Sequence, residues 1–299
     1  PETRPNGLRL LTYNIHYGAG LSPDLAQPLT PEQIKANVDA IARVINQLGV
    51  DAVFLQEVDF DSARTHGINQ MEYLARATRM GYMAPVPTWV KNFLPYPLWP
   101  PFSMLGRLDS GQVVLSRWPI KDNTRISLPK PEEWFFLYRA FYLSRAIQKV
   151  TLDVGGTPVV LINIHSESGS LPNRQIQAER IRDYVRPFTK GALVMAGDFN
   201  AVPPEAAKKN GFADEPDLDQ QNDNSIVTIR SLNLRETIPL ERYRREEAIS
   251  LTFPADKPSR RLDYLFFSDA FYLGSGHVMN HLGPQSDHRP VFAELLFSR

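Results

Sequence analysis

Apolar runs long enough to be buried strands alternate along this chain with segments of helical periodicity. Leu8–Ile15 reads as a first strand, followed by a long loop and then by Thr30-Pro31-Glu32-Gln33. Thr30 is placed to cap a helix, Pro31 suits the first helical position, and Gln33 completes a capping box. Ile34, Val38, Ile41, Ile45 and Leu48 then recur at steps of three and four, forming one apolar stripe that Gly49 ends. A buried strand over 51–57 and a second helix over 69–80 come next. Further strands are predicted at 111–116, 145–154 and 158–165, the last two joined by Gly155-Gly156, a hairpin signal. A helix over 174–188, read from Ile176, Ile181, Tyr184, Val185 and Phe188, leads into a strand at 192–196. Later strands fit 261–268, 271–278 and 290–297.

Strands outnumber helices, and hairpins mix with crossover helices, which favours a layered α/β sandwich over a purely parallel sheet. No internal repeat or Ser/Gly linker divides the 299 residues, so the expectation is a single domain over 1–299. Two regions break the pattern. Residues 83–108 carry Pro85, Pro87, Trp89, Phe93, Pro95, Tyr96, Pro97, Trp99, Pro100, Pro101 and Phe102, and residues 129–142 carry Trp134, Phe135, Phe136, Tyr138, Phe141 and Tyr142. Proline at such density predicts that the first is a long aromatic loop without regular ladder pairing.

Composition narrows the classes. With 42% hydrophobic residues the chain can bury a substantial core, and the absence of cysteine excludes disulfides, thiolate zinc sites and cysteine nucleophiles. Thirty-three basic residues balance thirty-three acidic ones, so the total holds no basic excess of the kind that drives nucleic-acid binding. Arg242, Arg244 and Arg245 make a short basic run, but Glu241, Glu246 and Glu247 flank it, which predicts a solvated mixed-charge face. No stretch approaches the roughly 18 consecutive apolar residues of a membrane-spanning helix. The chain starts at Pro1 rather than Met, which leaves room for a removed upstream segment such as a signal peptide or anchor; the compartment stays open.

Polar residues gather where the buried strands end. Asn14 closes the first strand, Glu57 the second, and His165 the strand at 158–165; Asp198 and Asn200 follow the run 192–196. Asp263 lies inside an otherwise apolar strand, where a buried carboxylate needs a partner, and Asp287-His288 precedes the last strand. Strand ends at one rim of a sheet converge, so these residues are candidates for one pocket. Carboxylates with Asn and His, and no sulfur, form a hard, oxygen-rich set suited to Mg²⁺ or Mn²⁺.

Leu11-Thr12-Tyr13-Asn14, Leu55-Gln56-Glu57-Val58, Ile162-Asn163-Ile164-His165, Gly197-Asp198-Phe199-Asn200, Arg261-Leu262-Asp263-Tyr264 and Ser286-Asp287-His288-Arg289-Pro290 together resemble the ordered motifs of the endonuclease/exonuclease/phosphatase superfamily. That superfamily includes deoxyribonuclease-I-like nucleases and neutral sphingomyelinases. The resemblance runs from about residue 8 to 297, and Ser110–Arg117 matches a further family strand. It implies a four-layer α/β sandwich, two mixed sheets face to face with helices outside. It also implies roles. Glu57 is the expected principal metal ligand, helped by Asn14 and completed by Asp287; the metal is Mg²⁺, with Mn²⁺ or Ca²⁺ as alternatives. Asp198 would orient and deprotonate the attacking water, and Asn200 would hold a phosphate oxygen. His288, fixed by Asp263, and His165 would donate to the phosphoryl group from two sides, and Arg145 is a further candidate for phosphate contact. His16 stands two residues after Asn14, where several nuclease members carry Asp.

The motifs specify a phosphoester and leave the rest of the substrate to the loops. Aromatic rings with few Lys or Arg suit a membrane interface or an acyl-chain surface, which favours a phospholipid or lipid-linked phosphodiester. A DNA or RNA nuclease is the main alternative, with bases stacking on the same rings. An inositol-phosphate-type phosphatase and a catalytically silent scaffold are further alternatives.

Overall fold

In both predicted sheets, neighbouring residues of the central strands must satisfy two different cores, and the structure shows how. The structure, a computed structural model, describes residues 5–21, 28–96, 104–281 and 283–298. In chain order the strands are β1 (Gly7–Asn14), β2 (Ala52–Asp59), β3 (Tyr82–Leu94), β4 (Gly106–Ser116), β5 (Ile120–Ser127), β6 (Ala146–Val154), β7 (Thr157–His165), β8 (Leu193–Asp198), β9 (Arg235–Glu236), β10 (Asp263–Phe267), β11 (Phe271–Val278) and β12 (Val291–Phe297). The helices are α1 (Pro31–Leu48), α2 (Gln70–Thr78), α3 (Phe136–Phe141), α4 (Leu171–Val185), α5 (Ser225–Arg230), α6 (Leu240–Arg245) and α7 (Glu247–Ser250). One six-stranded sheet has the order β11-β12-β1-β2-β4-β3 and the other β5-β6-β7-β8-β10-β9. Each contains one parallel pair, β1–β2 and β7–β8, among antiparallel neighbours.

Leu8, Leu10, Ala52 and Phe54 point between the sheets and meet Leu161, Val194, Ala196 and Leu265 from the other side. The alternate residues Leu11, Tyr13, Val53 and Leu55 pack under α1, with Ile34, Val38, Ile41 and Ile45. On the second sheet Ile162, Ile164, Met195 and Phe266 likewise face Ile181 and Val185 of α4. Strands buried on both faces have no polar side, which is why they read as continuous apolar runs. The four-layer α/β sandwich expected from the sequence is present. Among the described residues no helix is long and apolar enough to cross a membrane.

Local signals hold where they were strongest. Thr30 Oγ1 accepts from Gln33 N at 3.3 Å while Gln33 Oε1 accepts from Thr30 N at 2.8 Å, and Gly49 ends α1 at φ +58°. Gly155 and Gly156 turn between β6 and β7, both with positive φ.

Three expectations need correction. The region 83–108 is not an unpaired loop at its start: β3 runs 13 residues along β4, with register shifts near Trp89 and Leu94. Proline is tolerated there because β3 is an edge strand. Pro85 and Pro87 share one parity, so both missing N–H groups face away from β4, and on that side Pro85 O accepts from Asn123 Nδ2 at 2.9 Å. Trp99 and its neighbours in 97–103 lie outside the described residues. The strand β5 went unread because its sequence, Ile120–Ser127, is mostly polar, as a sheet edge permits. Finally α4 starts three residues early, capped by Ser170. Ile176 on it is exposed, whereas Arg174 is buried and held by Asp223 at 2.7 Å.

Candidate active site

The register of the two sheets brings the strand-end residues together. His165 pairs with Asp198 across β7–β8, and Asp198 pairs with Asp263 across β8–β10, so three chemically active side chains stand on one line. The facing sheet supplies Asn14 at the end of β1 and Glu57 on β2. Ser286 ties in the last motif: its Oγ donates to Asn14 O at 2.7 Å and accepts from His288 N at 3.2 Å.

Glu57 owes its direction to the backbone. The pairing of β2 with β4 slips between Leu55 and Val58, and Glu57 sits there at φ +55°. Such a bulge re-aims a side chain that a regular strand would bury. A non-glycine residue in the left-handed region is strained, and here the strain falls at the site. Asn200 shares that conformation at φ +51°, with its N–H on Asp198 Oδ1 at 2.9 Å and its amide Nδ2 on Ser166 O at 3.0 Å.

Asp198 is the hub. Asn14 Nδ2 donates to it at 3.1 Å and to Glu57 Oε1 at the same distance. His165 Nε2 stands 3.6 Å from Asp198 Oδ2 and His288 Nε2 3.7 Å, outside direct hydrogen-bond range. His288 Nδ1 meets Asp263 Oδ2 at 2.9 Å, as the sequence anticipated for this pair. Burial raises the Asp198 carboxyl, with Asp263 adding to the effect against the pull of His288. Burial opposes charge on His288, but Asp263 and Asp198 outweigh it and raise its pKa. His165 goes the other way, held neutral by burial and by the nearby Arg145 against the opposing field of Glu57.

Burial alone would raise Glu57, yet the His165 and His16 imidazoles, as they take up protons in acid, and the Asn14 amide bring it down to about 2. It is therefore an anion throughout the working range. With Asn14, Asp198 and Asp287 it forms a hard donor set that fits a divalent cation. In the present arrangement Asn14 turns its amide nitrogen to the two carboxylates while its Oδ1 accepts from His16 N at 3.0 Å, so ligation through that oxygen requires the amide to turn over. Asp287 is drawn aside by His16, whose Nδ1 lies 3.3 Å from Asp287 Oδ2 and 3.0 Å from Gly20 O. Asp198, Asp263 and His288 also offer three ligand atoms within 4.8 Å of one another. His288 Nδ1 and Asp263 Oδ2 already engage each other there, which suits proton handling better than a cage.

Arg145 lies in the interior rather than on the surface. It is 5% exposed, its Nη2 donates to Ser168 Oγ at 3.3 Å, and among the described residues no carboxylate lies within salt-bridge distance. Sequence reasoning also missed the wall beside it. Tyr142 donates to the buried Glu167 at 2.7 Å, and Glu167 also accepts from Gly169 N at 2.9 Å. On the opposite side the Arg64 guanidinium stacks 3.6 Å above the Tyr17 ring and 5.8 Å from Trp89, held by Asp59. Only the unusual aromatic density of the two loops hinted at this rim.

Comparison with known proteins agrees with the geometry. The sequence profile described as Endonuclease/Exonuclease/phosphatase family matches residues 11–288. No curated protein sequence matches the chain. Among solved structures, an endonuclease/exonuclease/phosphatase from Beutenbergia cavernae DSM 12333 is similar at TM-score 0.68 and 23% identity, covering 98% of this chain and 72% of that one. The mannosyl-6-phosphatase Bt3783 of Bacteroides thetaiotaomicron VPI-5482 is similar at TM-score 0.63 and 14% identity, covering 97% and 100%. The human Nocturnin catalytic domain, solved with a bound sulfate anion, is similar at TM-score 0.61 and 17% identity, covering 100% and 96%.

Proposed function

Because the chain belongs to the Endonuclease/Exonuclease/phosphatase family, we propose that it is a hydrolase that cleaves a phosphodiester by in-line attack of water. The observation that carries this reading is the convergence on Asp198 of Asn14, Asn200, His165 and His288 from both sheets, beside a buried Arg145 that has no carboxylate within salt-bridge distance among the described residues. Asp198, made more basic by its burial, takes the proton of the attacking water. Asn200 and the neutral His165 orient the phosphoryl oxygens, and Arg145 supplies positive charge beside them. His288, kept protonated by Asp263, donates toward the oxygen on which charge builds. A divalent cation at Glu57, Mg²⁺ by preference, would act as Lewis acid and template.

The finer reading is a lipid-linked substrate. Two aromatic segments flank the site: Trp89 reaches it through Arg64 and Tyr17, while Trp134 lies against Gly169 next to Glu167. Trp89 Nε1 donates to Phe141 O at 2.8 Å, which joins the two segments. Beyond that joint Phe135 and Phe136 stand 67% and 66% exposed, with Val90, Phe93 and Tyr96 also open to solvent. Exposed rings on both sides of a phosphoester site suit an interface that presents the bond from a bilayer. The test is turnover with Mg²⁺ on phospholipid and sphingomyelin vesicles, beside inositol phosphates, plasmid DNA, RNA and soluble bis(p-nitrophenyl) phosphate. Replacing Phe135 and Phe136 together by Ser is expected to lower vesicle turnover about tenfold and leave the soluble diester unchanged. Equal loss on both substrates, or cleavage of nucleic acid alone, would remove the lipid reading.

A further inference from the structure

A layer of buried polar side chains crosses the largely apolar space between the sheets beneath the site. Thr12, Gln56, Gln112, Gln148 and Asn163 are all buried there. Asn163, on β7, reaches across to the other sheet. Its Nδ2 lies 3.1 Å from Leu55 O and 3.2 Å from Val113 O, as well as 3.0 Å from Gln148 Oε1 on its own sheet. Its Oδ1 accepts from Gln56 Nε2 at 2.7 Å, and its backbone carbonyl accepts from Gln112 Nε2 at 3.0 Å.

Two features separate this layer from ordinary core packing. Leu55 and Val113 form the last paired rung of β2 and β4 before the bulge that turns Glu57 toward the site. Asn163 therefore grips both strands at the rung from which the bulge departs, and through Gln56 it also holds the residue preceding Glu57. The layer is also poor in stability terms. Gln56 Oε1 and Gln112 Oε1 find no protein donor among the described residues, and a buried acceptor left unpaired is unfavourable compared with an apolar side chain of the same shape. A costly polar layer placed at this rung has a job in geometry.

We infer that Asn163 is a positioning residue: by clamping the Leu55–Val113 rung and Gln56 from the opposite sheet, it fixes the direction of Glu57 relative to His165, two residues further along its own strand. The inference rests on the reading of Glu57 as the principal cation ligand.

Three variants in the full chain test it. Asn163→Leu removes every side-chain bond of the clamp, and Asn163→Ser does so with less disturbance. Gln148→Leu is the control, because Gln148 is equally buried and bonds to Ala84 O, Asn123 and one hydrogen of Asn163 Nδ2, but among the described residues makes no hydrogen bond to β2, so its loss leaves the bonds of Asn163 to Leu55 O, Val113 O and Gln56 in place. Mn²⁺ binding is followed by the electron paramagnetic resonance of the free ion, KM and kcat on bis(p-nitrophenyl) phosphate, and amide hydrogen exchange over residues 52–59. Expected for the Asn163 variants is Mn²⁺ binding weakened at least tenfold, KM within twofold and faster exchange over 52–59. Gln148→Leu should lower the melting temperature comparably while leaving Mn²⁺ binding within twofold. Unchanged Mn²⁺ binding in a folded Asn163 variant overturns the inference. So does equal weakening in Gln148→Leu, or failure of both Asn163 variants to fold, which would make the residue a folding element. If the wild-type chain neither binds Mn²⁺ nor cleaves the diester, the hydrolase reading fails separately. Exchange over 52–59 then decides alone whether Asn163 holds the bulge.

Discussion

Arg174 and Arg145 approach the same residue, Ser168, from two sides of the structure, and both are almost fully buried. On the α4 side Arg174 is complete. Its Nε meets Asp223 at 2.7 Å, and its Nη1 donates to Glu167 O and Ser168 O, both at 3.0 Å. On the site side Arg145 touches Ser168 Oγ and, among the described residues, has no carboxylate partner. Arg260 and Arg261, the other fully buried arginines, have theirs in Asp214 and Glu236. A buried cation is costly unless paired, so an arginine with no carboxylate in salt-bridge range among the described residues is suited to an anionic ligand. Balanced burial pins loops in place; unbalanced burial prepares a site.

The largest effect should come from the hub of the unbalanced side. Asp198→Asn is expected to lower kcat by about 10³–10⁴-fold, because the water loses its base, with no loss in melting temperature. A melting temperature several degrees lower would put Asp198 among the balanced, structural charges instead. Next, Arg174→Met should destabilise the fold by about 3–5 kcal/mol in urea denaturation, since Asp223 is left buried without its partner. Asp263→Asn should slow turnover by roughly a hundredfold, because His288 loses the group that orients and charges it; its imidazole pKa, followed by NMR, should fall. Arg145→Met should be mildest, with KM raised about tenfold and stability equal to or above wild type, the reverse of Arg174→Met. Burial and then Arg145 depress His165, so removing the guanidinium should move the His165 pKa upward, which titration of its ring protons would report. A drop in stability for Arg145→Met matching that of Arg174→Met would erase the distinction between the two arginines.

The legible parts of the molecule were those with short-range causes. The capping box at Thr30, the glycine hairpin at 155–156 and the stripe of α1 depend on neighbours in sequence. The polar residues at strand ends stood out because apolar runs surround them. Edges were harder to read. Ile120–Ser127 forms a strand although its composition suggests a loop, because β6 supplies its partners, and Pro85 and Pro87 sit in a ladder because an edge strand needs hydrogen bonds on one side only. Of the rim composed of Tyr17, Arg64, Tyr142 and Glu167, Tyr142 alone belongs to an aromatic run, and the other three have no local signature.

The sequence alone determined which side chains have the chemistry and that strands would bury both faces, since residue type and period are local properties. The tertiary structure decided which charges are paired. Arg145 and Arg174 are indistinguishable as letters, and only the packing of α4 against the segment leading into α5, which carries Asp223, gives one of them a carboxylate. The direction of Glu57 was decided the same way. It follows from a bulge whose last rung is held by Asn163 in the opposite sheet, more than a hundred residues further along the chain, and pairing across that distance is a property of how two sheets stack.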